Sequence, residues 1–182
     1  MFSSISKSIL KLGGWKITGQ ENIKDLAKFI LIGAPHTSSL DFILGILVRS
    51  ATNLETRFLG KQSLFRPPFG FLFRAIGGYP VDRTQSNNMV DAIINIFNSH
   101  ERFSIALAPE GTRQRVEKFK SGFYHIAKGA EVPIILFKFN FGDKALEFSP
   151  PFFTGDDATA DMKTIEDHFR GVVGIRPERS FY

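Results

Sequence analysis

The chain contains no cysteine, which excludes disulfides, thiolate nucleophiles and thiolate metal sites. It also lacks any apolar run approaching the roughly 20 residues that a bilayer-spanning helix needs. Its best apolar stretches, 29–33, 42–48 and 132–137, have only the length of core elements. The first 20 residues carry no continuous apolar stretch ahead of a small-residue cleavage site, so no cleavable secretory signal is evident. There is no G-x-S-x-G elbow of a serine hydrolase. No P-loop and no convincing metal-ligand spacing is present. These absences lead to the expectation of a cytoplasmic protein without a metal or cofactor, which touches membranes without crossing them.

Two things are plentiful. Phenylalanine occupies 20 of 182 positions, and Lys+Arg outnumber Asp+Glu by 23 to 18, a net charge of +5. Positive charge favours partners that carry phosphate: nucleic acid, an anionic membrane surface or a phosphorylated small molecule. Charge alone does not choose among them. No helical segment has an Arg/Lys-rich face and the aromatics lack the pattern of an RNA-binding sheet, so a nucleic-acid partner is not expected.

Short apolar runs at 28–34, 56–60, 79–81, 103–108, 132–139 and 145–148 read as strands. Between and around them, 2–12, 40–51, 87–100, 122–129 and 159–172 have helical spacing, and 62–78 reads as a loop with a short helix. Ser38 or Ser39 caps the second of these helices. Alternating strands and helices predict a single α/β domain over 1–182, with a largely parallel central sheet flanked by helices. In the first helix Phe2, Ile5, Ile9 and Leu12 share a face while Lys7 and Lys11 lie off it. That pattern suits either a helix packed on the domain or a short interfacial helix, within residues 1–14, on a membrane surface.

Of the four histidines, only His36 directly follows a predicted strand and precedes a predicted helix, where open α/β sheets collect their active sites. Only His36 has an aspartate, Asp41, five residues on. A carboxylate beside an imidazole fixes its tautomer and supports the imidazolium, which makes His36 a candidate general base. Asp41 alternatively does no more than favour a helix N-terminus. After a later strand come Pro109, Glu110, Gly111, Thr112 and Arg113. This is either an anion cradle, with backbone N–H groups exposed by a tight Gly111 turn and Arg113 to grip a phosphate, or a plain turn with a Glu–Arg pair. Lys61 and Arg83 follow two other strands. Parallel neighbours would bring Lys61, Arg83 and Arg113 to one rim beside the His–Asp pair, although each is equally readable as a solvated charge.

The order of these pieces, across about 28–140, resembles the glycerolipid acyltransferases, the lysophosphatidic acid acyltransferase family. His36-Thr37-Ser38-Ser39-Leu40-Asp41 is similar to the family's H-x4-D signature. Gly78 to Arg83 resembles its second block, Pro109 to Arg113 its third and Val132-Pro133-Ile134-Ile135 its fourth. Lys61 falls where the family often has a lysine. The resemblance implies catalysis by His36 and Asp41, without a covalent enzyme intermediate. It implies acceptor binding by Lys61, Arg83, Glu110, Gly111, Thr112 and Arg113. The donor would be acyl-CoA or acyl carrier protein, and the acceptor a lysophospholipid, first 1-acyl-glycerol 3-phosphate to give phosphatidate. Pro133, Phe65 and Phe69 are the candidate apolar contacts for the acyl chain. The chain departs from the family pattern at Pro35, Ala108, Gln114 and Leu136, where acceptor and chain-length preference are at stake. Rival readings are another lysolipid acceptor, a thioester hydrolase or a non-enzymatic lipid-binding protein on the same fold. Residues 2–12 and the Phe-rich stretch 65–73, with Lys7, Lys11, Lys16, Arg66 and Arg74, are expected to dock at the inner face of an anionic membrane.

Overall fold

Along Lys28–Ala34 successive apolar side chains point to opposite sides, and both sides are covered. Ile30, Ile32 and Ala34 enter one core cluster, while Phe29 and Leu31 enter the other. Such a strand needs no polar positions, which is why it reads as a continuous apolar run. In the computed structural model, which describes residues 2–81 and 89–181, this strand is β2, central in a seven-stranded sheet of the described residues. The others are β1 (Lys16–Thr18), β3 (Thr56–Lys61), β4 (Gly78–Val81), β5 (Phe103–Leu107), β6 (Ile134–Asn140) and β7 (Ala145–Phe148), in the order β1-β7-β6-β2-β5-β3-β4. Every pairing is parallel except β6 with β7.

The helices are α1 (Phe2–Leu12), α2 (Ser39–Thr52), α3 (Gly70–Ala75), α4 (Met89–Asn98), α5 (Gly122–Ala130) and α6 (Ala158–Phe169). Ile93 and Phe97 of α4, Phe123 and Ile126 of α5, and Ile165 and Phe169 of α6 cover one face of the sheet. Leu10 of α1 and Leu44 and Val48 of α2 cover the other. Full burial of side chains of this size stabilises the fold by roughly 1.5–3 kcal/mol each. Because the inner strands run parallel, the carboxyl ends of β2, β5, β3 and β4 lie side by side. Register pairs Ile32 with Leu107, Phe58 with Ala106 and Lys61 with Val81. The α/β expectation is met.

The differences from expectation have local causes. β6 begins after Pro133, which has no N–H for the ladder, although its carbonyl accepts from Ile30 N (2.9 Å). The last helix ends at Phe169, ahead of Gly171 at φ 77°. β1, three residues long, is too short to show a period. The start of the expected helix 87–100 lies outside the described residues.

α1 packs differently from its pattern. Among its described side chains, those of residues 3–12, Leu10 (3% exposed) and Ser6 are buried, and Ser3 Oγ donates to Ala51 O of α2 (3.4 Å). Ile5, Ile9 and Leu12 face outward, Leu12 at 88% exposure. A seam of small and single apolar residues seats the helix and leaves its apolar stripe open. No helix among the described residues is long and apolar enough to cross a membrane.

Candidate functional site

β2 ends at Ala34 and the chain turns through Pro35, His36 and Thr37 into α2. Ser38, extended at φ −149° and ψ 160°, is the N-cap, its hydroxyl accepting from Leu40 N (3.3 Å). Asp41 completes the capping box: its Oδ2 accepts from Ser38 N (2.8 Å) and also from Thr37 N (2.6 Å). The same oxygen lies 3.3 Å from His36 Nδ1. The two readings of Asp41, helix start and imidazole partner, are thus one geometry. Two backbone N–H groups fix the carboxylate, which stands beside the ring. The Asp41 side chain is 1% exposed and that of His36 28%, so the imidazole is reachable and its partner is not.

The loop after β5 ties to this turn twice. Glu110, expected on an acceptor, turns inward instead. It is buried, and its Oε1 accepts from His36 N (2.8 Å). Burial pushes its carboxyl up to about 6, against the lowering effect of that N–H, with the Asp41 charge adding to the rise. Asp41 Oδ1 and Glu110 Oε2 are buried without a hydrogen-bond partner among the described residues. The second tie is Arg113, whose Nη1 donates to Ser39 Oγ. Gly111 makes the turn at φ 63°, where a Cβ would also stand 2.9 Å from the Lys120 side chain. Thr112 Oγ1 accepts from Gln114 N (3.3 Å) and is exposed.

The structure therefore brings His36, Asp41, Glu110 and Arg113 together at the carboxyl rim. Lys61 closes β3 on the same rim, two strands from β2, roughly 10 Å at about 4.8 Å per strand. Arg83 lies outside the described residues. Pro133 is not brought to the rim: it sits at the amino end of β6, roughly 20 Å from His36 at about 3.3 Å per residue along the neighbouring β2. Phe65 is buried between the backbones of Gly60 and Gly78, where a Cβ on either glycine would meet its ring at 2.8 Å. Its ring is a structural filler of the β3–β4 corner. Phe69, by contrast, is 63% exposed, with Phe71 and Leu72 beside it in the sequence also exposed.

Arg176 and Arg179 escaped the sequence reading. With Thr37, Ser38, Ser39 and Arg113 they line a cavity of about 360 Å³ beside the first turn of α2. The only signal was a Pro-containing pair of arginines near the C-terminus, which resembles any polar turn. A larger cavity, about 710 Å³, lies at the opposite rim, among Ala27, Phe29, Leu54, Arg57, Arg102 and Ser104. No group of three or more His, Asp or Glu residues among the described residues is arranged to hold a metal ion.

A family model described as Acyltransferase matches residues 14–137, which include the histidine turn and the loop after β5. Comparison with curated protein sequences gives no match. Among solved structures, the fold is similar to that of PlsC, the 1-acyl-sn-glycerophosphate (LPA) acyltransferase from Thermotoga maritima. The TM-score is 0.64 at 18% identity, over 92% of this chain and 74% of that one.

Proposed function

Because the chain belongs to the acyltransferase family, we propose that it moves a fatty acyl group from acyl-CoA or acyl carrier protein to the hydroxyl of a lysophospholipid, with 1-acyl-glycerol 3-phosphate as the first acceptor. The observation that carries the reading is the reachable His36 imidazole held 3.3 Å from a buried Asp41 carboxylate at the carboxyl rim of a parallel sheet. The similarity of the fold to an LPA acyltransferase supports the choice of acceptor.

With Nδ1 donating to Asp41, Nε2 of His36 is left to take the acceptor's hydroxyl proton. The oxygen attacks the thioester carbonyl, the new C–O bond forms, and the tetrahedral intermediate collapses with cleavage of C–S. The departing thiolate takes the proton back from the imidazolium, so the enzyme ends as it began. Asp41 stabilises the imidazolium while it carries the proton. General base catalysis of this kind contributes about 10²- to 10⁴-fold, and orientation of two bound reactants on the order of 7–11 kcal/mol. Glu110 fixes the backbone at His36. Thr112 and Arg113 meet the acceptor's phosphate, and Lys61 adds positive charge along the rim; Arg83 is retained as an acceptor contact on its sequence position alone.

The exposed apolar residues suit peripheral docking on an anionic bilayer. Ile5, Ile9 and Leu12 of α1, Leu40 and Ile43 in the first turns of α2, and Phe69 and Phe71 are all open. Lys7 and Lys11 lie along α1. Sedimentation with anionic liposomes at low salt tests this, and no binding would refute it.

The reaction is tested by acyl transfer in detergent micelles, with a panel of lysolipids, both thioester donors, and wild type beside His36→Ala. Product that the variant does not make supports the reading. Equal product from both refutes the role of His36. Fatty acid release indifferent to acceptor would identify a hydrolase instead.

A further inference from the structure

Three arginines from distant parts of the chain meet at the first turn of α2. Arg113 comes from the loop after β5. Arg176 and Arg179 come from the C-terminal segment, outside the stretch 14–137 that carries the family likeness. Among the described residues, no carboxylate lies within ion-pair distance of Arg113 or Arg176, and Arg179 has only a long contact to Glu178 (3.9 Å). Three like charges with, among the described residues, only that one long and exposed counter-charge repel one another. Planar guanidinium groups converging with the hydroxyls of Ser38 and Ser39 suit a phosphate, which accepts several donors at once. The N-terminal end of the 14-residue α2 adds its partial positive charge.

The C-terminal segment is firmly seated. Arg176 N donates to Thr37 Oγ1 (3.2 Å), one residue from His36. Gly174 passes so close that a Cβ would meet Thr37 at 2.6 Å, and its N–H donates to Ser180 Oγ (2.9 Å). Phe181 is buried and stacks on Phe119 (4.4 Å), which lies in the loop between β5 and α5. The segment therefore joins the histidine turn to the loop that carries Arg113.

Reach decides which phosphate belongs here. In a glycerol phosphate acceptor only the glycerol carbons separate the reacting hydroxyl from phosphorus. In the thioester donor the whole pantetheine arm lies between the carbonyl and the nearest phosphate. A cationic cavity lined by the residues immediately after His36 matches the short span. We infer that Arg176 and Arg179, with Arg113, form the seat for the acceptor's phosphomonoester, so that the C-terminal segment supplies headgroup recognition. The inference rests on the acyltransferase reading for the identity of the ligand.

The test is calorimetric titration with glycerol 3-phosphate and, separately, coenzyme A, neither of which requires turnover. Wild type is compared with R176A/R179A and with R176Q/R179Q, which keeps side-chain length. The anchors at Thr37 and Ser180 are left in place, and a thermal melt verifies the fold. The expected result is a Kd for glycerol 3-phosphate weakened by about tenfold or more in both variants, with coenzyme A within about twofold. Unchanged glycerol 3-phosphate binding, absence of millimolar binding by wild type, or a loss confined to coenzyme A would each overturn the inference. Arginine-dependent glycerol 3-phosphate binding in a protein that transfers no acyl group would strike the reaction and leave the phosphate seat standing.

Discussion

The two rims of the sheet differ in what they bury. At the amino rim the cavity is larger, about 710 Å³. The buried polar side chains at that rim, Thr56 and the cavity-lining Ser104, are neutral and bond to each other (3.2 Å). At the carboxyl rim the cavity is about 360 Å³, yet both buried carboxylates of the described residues, Asp41 and Glu110, are there. Each presents one oxygen to backbone N–H groups and keeps the other without a partner among the described residues. Burying a carboxylate is costly unless it is paired or hydrogen-bonded. Such groups mark the rim where chemistry is concentrated better than volume does.

The comparison is broken most directly at His36. His36→Ala is expected to lower kcat for acyl transfer by about 10²- to 10⁴-fold, and an unchanged rate would remove the distinction between the rims. Asp41→Asn should come next. The amide oxygen can still accept from Thr37 and Ser38, but the imidazole loses its anionic partner. We expect a loss of about 10²-fold or more in kcat with a melting temperature close to wild type. A variant that loses stability and keeps its rate would reduce Asp41 to a cap.

Glu110 sharpens the comparison through pH. Its carboxyl is raised from 4.5 to about 6 in the folded protein, so folding favours its protonated form. This contribution to wild-type stability is fully present below pH 4.5 and is lost as pH rises through about 6. Glu110→Gln cannot titrate and retains an oxygen for His36 N. Urea unfolding between about pH 4 and pH 7 should show wild type losing about 2 kcal/mol relative to the variant. A constant difference across that range would contradict the burial argument. The smallest effect belongs to the amino rim. Arg57→Ala with Arg102→Ala should leave acyl transfer within about twofold, since both side chains are exposed surface groups. A large loss there would mean that the bigger cavity serves the reaction.

Local signals carried much of this architecture in the sequence. β2 and α2 were legible because each declares itself within a dozen residues: an unbroken apolar run, a proline, a Ser cap and an acidic residue at N3. The His36–Asp41 pair was legible for the same reason. What stayed hidden depends on distant partners. The outward stripe of α1 was invisible because periodicity shows that a helix has an apolar face and does not say which face is covered. Phe65 and Phe69 looked alike in sequence, yet one fills a glycine-lined corner and the other stands in solvent. Glu110 was placed in the right loop, but its inward turn depends on the N–H of His36, 74 positions away. Arg176 and Arg179 needed the contact with Thr37, 139 positions from Arg176, to acquire meaning.

The capping box at the start of α2 has a consequence for how the protein assembles. Every contact between Asp41 and the turn at 36–38 spans at most five residues, so none of them depends on a distant part of the chain. Contacts of such short range close with little entropy cost. The clamp from Glu110 needs β5 beside β2, a non-local pairing that closes a loop of some 74 residues. A chain ending in α2 already contains every residue of that contact set, while the β5 loop and the C-terminal arginines reach it only across the closed sheet. The proton-handling part of the rim is thus built by the chain's neighbours in sequence, and the anion-handling part by its neighbours in space.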